Sequence, residues 1–254
     1  MTTSELPLKG GRKSRAARRE ETMQRVVDAA IDLVHERGEM PLRAVAHRLG
    51  MTPPALYRYV SSQAELTQRV AWELDRRATE RFRAARDSFP DSDPLGQLTA
   101  AAVAFRQWAL GNKDEFGLVF TNPDADLCTD LEMQAESGLV FTELLVKVHL
   151  GHHTPVPSLD ELDPRLVEIL RNPLIPADLD QLPDRMRGMV WTFMRSWAAL
   201  YGTVTLEVFG HIDPRVVEQG HLFKAMVLEQ CAILGLGDQL ERVGDLLDDL
   251  LAGP

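Results

Sequence analysis

Between Thr52 and Val60 the chain reads Thr-Pro-Pro-Ala-Leu-Tyr-Arg-Tyr-Val. These residue types suit binding better than bond making. On a helix, at about 100° per residue, Leu56 and Val60 share one face. The opposite face holds Arg58, flanked by Pro54 and Ala55, with Tyr57 and Tyr59 on the two flanks. A DNA major groove fits that arrangement. A guanidinium reaches guanine O6 and N7 or a phosphate, and small apolar groups meet thymine methyls. Tyrosine hydroxyls donate to phosphates on either wall. Singly, each tyrosine reads equally well as half-buried packing, and Arg58 as a solvated charge. The combination is what points to nucleic acid.

No other chemistry competes. The chain has no G-x-S-x-G, no P-loop, no H-E-x-x-H and no Rossmann glycine pattern, so no enzyme signature stands. Its two cysteines, Cys128 and Cys231, have no short spacing. That excludes a disulfide framework and a C-x-x-C site, and it fits a reducing cytoplasm. His149, His152 and His153 form the histidine cluster. On a continuing helix, His149 and His153 would be four apart and able to share a metal. Gly151 and Pro155 argue that the helix ends there, so a plain loop is expected, with no metal and no cofactor.

The elements that position these residues are helical throughout. Val26, Val27, Ala30, Ile31 and Val34 predict a helix over 20–37, ended by Gly38. Leu42 to Leu49 predicts a short helix ended by Gly50, and 54–59 a shorter third one entered through Pro53 and Pro54. Two short helices joined by a tight glycine turn form a helix-turn-helix pattern. Ser62 and Glu65 read as a capping box opening a long helix to about Phe89. Asp93 caps the next helix, with proline at its first position, over 94–110. Further helices are expected near 113–120, 126–150, 165–171, 184–209, 214–234 and 239–251, with proline-rich irregular chain over 151–183. No alternating strand pattern competes, so the fold class is all-α.

Charge follows the same division. The 254 residues carry a net charge of −10. Residues 1–60 hold 11 Lys+Arg against 7 Asp+Glu, which makes the body strongly acidic. Phosphate contacts respond to local charge, not to the average. Lys9, Arg12, Lys13, Arg15, Arg18 and Arg19 make residues 1–19 a disordered basic arm, either a solvated tail or a segment laid on phosphates. No run of about 18 apolar residues exists, so a membrane span is not expected. The polar, basic start lacks the apolar stretch of a secretory signal.

The stretch from Leu42 to Thr52, Leu-Arg-Ala-Val-Ala-His-Arg-Leu-Gly-Met-Thr, followed by Pro53 to Val60, resembles the tetracycline-repressor family. The resemblance covers about residues 22–70. It implies an all-α homodimer: a helix-turn-helix domain over 20–66 and a helical ligand-binding and dimerisation domain over 67–254. By motif position, Arg43 matches a base-contacting residue. Pro53, Pro54, Ala55 and Arg58 match groove-facing positions; Thr52, Tyr57 and Tyr59 match phosphate contacts. Two positions depart from the family pattern. Gln63 stands where lysine is usual, and Pro41 where threonine often caps the second helix. Each departure removes a phosphate contact, for which the basic arm is expected to compensate.

Trp191 to Gly210 is similar to the Trp-His-Gly type of C-terminal domain in part of this family, with Tyr201 in place of the usual histidine. It implies a dimer bundle of the helices at 184–209 and 214–234, with Gly202 and Gly220 allowing close approach. The candidates for an effector pocket are Phe105, Trp108, Phe116, Phe120, Met133, Phe141, Met189, Phe193, Trp197 and Tyr201. Each reads singly as ordinary core; the resemblance is what makes them a pocket. Arg106 and Arg195 read as charges on exposed faces. The function so implied is a cytoplasmic, nucleoid-associated, ligand-responsive repressor on a palindromic duplex operator, released by an apolar or amphipathic effector. The alternative is a constitutive or partner-controlled DNA-binding dimer.

Overall fold

The computed structural model describes residues 14–121, 135–171, 173 and 183–252. The described residues form twelve α-helices and no strand. None of these helices is long and apolar enough to cross a membrane. The chain divides into two compact units, Met1–Val70 and Ala71–Pro254.

In the first unit, α1 (Arg15–Arg37) starts earlier than its apolar stripe predicts. The Ala17 N–H donates to Ser14 Oγ at 3.1 Å. A serine cap of this kind satisfies a first-turn donor and starts a helix without any apolar periodicity. Arg15, Arg18 and Arg19 therefore belong to α1 and not to a disordered arm, which corrects the expectation at 15–19. Lys9, Arg12 and Lys13 lie outside the described residues. Val26, Ala30, Ile31 and Val34 are buried; α1 packs on α2 (Leu42–Arg48), which in turn packs on α3 (Pro53–Leu56). The long α4 (Gln63–Arg86) opens with the Glu65 N–H donating to Ser62 Oγ at 3.1 Å. The returning Glu65 carboxylate takes the Ser61 N–H, at 2.7 Å, instead of that of Ser62. The helix ends short of Phe89 because its last turn tightens: the Phe89 N–H donates to the Arg86 carbonyl just ahead of Pro90.

In the second unit, α5 (Pro94–Gly111) is largely buried, packed by α7 (Glu136–His152), α9 (Gly188–Val208) and α12 (Leu240–Ala252), with Gln107 and Leu110 left exposed. Asp93 caps α5 as expected, accepting the Gly96 N–H at 3.0 Å. Helix α6 (Lys113–Phe116) leads into a π-helical turn over Gly117–Thr121. Helix α8 (Pro164–Arg171) packs on α9. The helix α7 begins at Glu136; residues 126–134 of its predicted span lie outside the described residues. It continues past Gly151 to His152, where His153 turns it with a φ of 53°. The His149 Nδ1 sits 2.9 Å from Thr154 Oγ1. Among the described residues no three metal-ligating side chains gather.

Three tertiary features were not visible in the periodicity. The segment 214–234 is two helices, α10 (Pro214–Glu218) and α11 (His221–Ile233), broken at Gly220 with φ 65°. A Cβ on Gly220 would meet Leu251 Cδ1 at 2.9 Å. Its small size therefore serves packing inside the unit, not a dimer. Arg106 is 5% exposed, against the expectation of an exposed face, because it lies on the side of α5 that meets Glu207 and Phe223. It donates to Glu207 Oε2 at 2.6 Å and to the Val217 carbonyl at 2.5 Å, and lies over the Phe223 ring. Burial pushes the Glu207 carboxyl above its ordinary range, while Arg106 pulls it down. Asp75 is also buried, and its carboxylate accepts the Ser137 N–H at 3.2 Å. It supplies the cap that Ala135, the cap residue of α7, cannot provide. Burial raises the Asp75 carboxyl too.

Candidate functional site

The turn between α2 and α3 is built from backbone bonds. The Met51 N–H donates to the Ala46 carbonyl at 2.9 Å, and the Gly50 N–H to that of His47 at 3.1 Å. This crossed pair is a Schellman motif. It requires the left-handed φ of 64° at Gly50, which glycine adopts without a Cβ clash. The chain then enters α3 through Pro53 and Pro54, which have no N–H to cap. Thr52, the cap residue, makes no side-chain cap bond, so its hydroxyl remains at the surface.

Leu56 and Val60 are 1% and 0% exposed, so the third element is anchored on the face that periodicity predicts. The regular part of α3 is only one turn, Pro53–Leu56, but the Val60 N–H still bonds the Leu56 carbonyl at 3.2 Å. Thr52, Pro53, Pro54, Tyr57 and Arg58 are exposed, whereas Ala55 and Tyr59 are half-buried. Tyr57, at 54%, is not packing; Tyr59 partly is. Arg43 is exposed on α2, the helix that packs against α3. Neither Arg43 nor Arg58 forms an ion pair with any described residue. Arg48, by contrast, is engaged by Glu36 and Asp32 of α1. Uncommitted guanidiniums on an exposed face can take phosphate or base acceptors; Arg48 secures α2 instead.

Two long-range contacts in this region escaped the sequence reading. Arg19 of α1 donates to the Arg58 carbonyl at 3.5 Å. Gln63 of α4 reaches the start of α2, accepting the Leu42 N–H and donating to the Met40 carbonyl, each at 3.2 Å. No local pattern marks a partner more than twenty residues away.

The pocket candidates of the body form a continuous ring cluster. Phe105, Trp108, Phe116, Phe120, Phe141, Trp197 and Tyr201 are linked by centroid separations of 5.2–6.3 Å. Phe82 of α4, not among the candidates, joins it beside Phe105, Trp108 and Phe141. The spacing of Leu74, Ala78 and Phe82 at helical intervals carried that signal. Phe105, Phe116 and Phe82 are fully buried, while Phe120, Trp197 and Tyr201 form a half-exposed side. There the Tyr201 hydroxyl donates to the Phe120 carbonyl at 2.8 Å. Met189 is buried and Phe193 half-buried on α9, outside the ring contacts among the described residues. Met133 lies outside the described residues.

One side of α9 and α11 is open and mostly apolar, with Arg195 and Glu229 exposed among its residues. Met194, Ala198 and Leu206 are exposed on α9, and Ala225, Ala232 and Ile233 on α11. A Cβ on Gly202 would meet nothing within 4 Å. Ser196 and Gln230 tie the two helices at 3.1 Å.

The chain is similar, at 25% identity over 214 residues, to the HTH-type transcriptional regulator Mb1846 of Mycobacterium bovis and to Rv1816 of Mycobacterium tuberculosis. The match spans 80% of this chain and 86% of each relative. Among solved structures, the regulatory protein SCO4313 aligns with 95% of this chain and 100% of its own, at 20% identity and a TM-score of 0.49. A TetR-like transcriptional regulator from Rhodococcus sp. RHA1 aligns with 96% and 100%, at 18% identity and a TM-score of 0.40. Residues 98–229, more than half of the chain, match the model of the tetracyclin repressor-like C-terminal domain. By that match, the chain belongs to the tetracycline-repressor family of transcriptional regulators, which is not a family of enzymes.

Proposed function

We propose that the protein is a cytoplasmic, homodimeric repressor that reads a palindromic operator and is released by a small apolar or amphipathic effector. The observation that carries the DNA reading is the exposed face of Thr52, Pro53, Pro54, Tyr57 and Arg58. It is fixed from behind by Leu56 and Val60 and flanked by the uncommitted Arg43. Arg43 and Arg58 supply base or phosphate contacts, Pro53, Pro54 and Ala55 the apolar ones, and Thr52, Tyr57 and Tyr59 phosphate contacts. The basic first turns of α1 add positive charge to the same unit.

Dimerisation uses the open, mostly apolar side of α9 and α11, where Gly202 admits close approach. Two α3 elements then enter successive major grooves about 34–36 Å apart. The domain roles follow the two units: DNA contact in the first, effector binding and dimerisation in the second. The effector meets the ring cluster at its half-exposed side of Phe120, Trp197 and Tyr201. It acts by favouring a state in which the two α3 elements no longer match the groove spacing, to the extent of its differential affinity. Helix α4, which contributes residues to both units, is the element that transmits that change.

The test is selection of binders from a random duplex library by the full-length protein at near-physiological salt. An enriched palindrome is the expected result. Binding that is salt-labile and without enrichment refutes sequence-specific reading. Apolar compounds that never alter affinity for the enriched duplex favour a constitutive dimer instead.

A further inference from the structure

We infer that Gln63 is a positioning residue for the DNA-reading helices, holding the entry to α2 where Pro41 offers no side-chain cap. This rests on the DNA-binding reading above. Pro41 is the cap residue of α2 and offers no side-chain acceptor. Its carbonyl takes the Ala44 and Val45 N–H groups, at 2.8 and 3.1 Å. The Leu42 N–H is among the first-turn donors that a helix leaves without an internal partner. It donates instead to Gln63 Oε1 at 3.2 Å. The same carboxamide donates through Nε2 to the carbonyl of Met40, a residue only 4% exposed. One side chain at the start of α4 therefore grips the backbone on both sides of Pro41.

Only a carboxamide does both jobs. Lysine has three donors and no acceptor, so it leaves the Leu42 N–H unsatisfied; glutamate accepts that N–H but opposes the Met40 carbonyl. Pro41 and Gln63 thus act together at the entry to α2. The cation that would face a phosphate is replaced by a clamp on the entry to α2. Arg43 directly follows the clamped Leu42, so the direction of Arg43 depends on Gln63 although Gln63 touches no DNA.

The experiment uses the full-length protein, the duplex enriched by the wild type, and a scrambled duplex of equal length. The variants are Gln63→Ala, Gln63→Lys, Pro41→Thr and the pair Pro41→Thr/Gln63→Ala. Binding is measured across a salt series, with hydrogen exchange of the 42–45 amides in the free protein. Gln63→Ala is expected to lose about fivefold in preference for the enriched duplex, the worth of roughly one cap, with an unchanged salt slope. Its 42–45 amides exchange faster. Adding Pro41→Thr, whose hydroxyl caps the Arg43 or Ala44 N–H and not that of Leu42, restores at most part of either readout. Gln63→Lys steepens the salt slope by about 0.9, one phosphate contact, yet keeps the loss of preference.

Wild-type preference in Gln63→Ala overturns the inference. So does a salt slope that becomes shallower by about one contact, because Gln63 would then touch phosphate itself. Full restoration of preference by Pro41→Thr also counts against it, because an ordinary cap would then do the work of the clamp. If the wild type enriches no duplex, the DNA reading fails separately. The exchange arm then decides the clamp: faster exchange in Gln63→Ala supports it, and unchanged exchange overturns it.

Discussion

Removing one partner of the Arg106–Glu207 pair is predicted to cost far more than removing both. The pair joins α5 to α9 at 2.6 Å, and its side chains are 7% and 0% exposed. Arg106→Met leaves the Glu207 carboxylate in the interior without its counter-charge. An uncompensated buried charge of this kind costs about 3–5 kcal/mol. For a unit of this size, each kcal/mol lowers Tm by roughly 2–4 °C, so a fall of about 6–20 °C is expected. Glu207→Gln, which strands Arg106, acts in the same direction. The pair Arg106→Met/Glu207→Leu replaces both charges with apolar volume and is expected to melt above either single variant. The assay is calorimetric melting of all four proteins at two pH values. The sign with pH follows from burial, which raises the Glu207 carboxyl above 4.5 in the fold. The folded state then binds the proton more tightly than the unfolded one, so stability falls as pH rises from 4.5 through the raised value. In Arg106→Met that rise is larger, and the deficit is smaller at pH 5 than at pH 8. A single variant melting within about 2 °C of the wild type, or a double variant as unstable as the two singles combined, refutes the reasoning.

Asp75→Asn keeps an acceptor for the Ser137 N–H and removes a carboxyl whose value burial raises above 3.8. Stability of the wild type is therefore expected to fall as pH rises above 3.8, and the variant's pH profile, followed by chemical denaturation, to be flatter. Gly50→Ala places a Cβ on a φ of 64°. It is expected to cost about 1–2 kcal/mol in denaturant melts of the first unit. Arg43→Ala is expected to lose about 1–3 kcal/mol on the enriched duplex if Arg43 reads a base, measured by titration. An equal loss on scrambled DNA would mark a phosphate contact. Leu206→Glu, on the open face of α9 (43% exposed), is expected to yield monomers in sedimentation while leaving the helical content intact. Unchanged dimers would place the interface elsewhere.

What the amino-acid sequence determined by itself is the part governed by neighbours within about four positions. The anchoring of Leu56 and Val60, the glycine turn at Gly50 and the Asp93 cap on α5 all follow from helical periodicity and local hydrogen-bonding chemistry. So does the exposure of Arg58 and Pro54. The start of α1 at Arg15 was legible too, in Ser14, but the apolar stripe that begins at Met23 drew the boundary too late. Tertiary structure decided what depends on distant partners. Arg106 is buried because it lies on the enclosed side of α5, against a Glu207 that is 101 positions away. Gly220 breaks a helix that its apolar pattern would continue, because α12 brings Leu251 against it. Gln63 becomes a clamp because the chain returns it to Pro41 after 22 residues. Phe82 joins the ring cluster because α4 packs its stripe against α5 and α7. Sequence spacing encodes which side of a helix is apolar; only the packed fold determines which other helix that side meets, and whether a charge on it finds its counterpart.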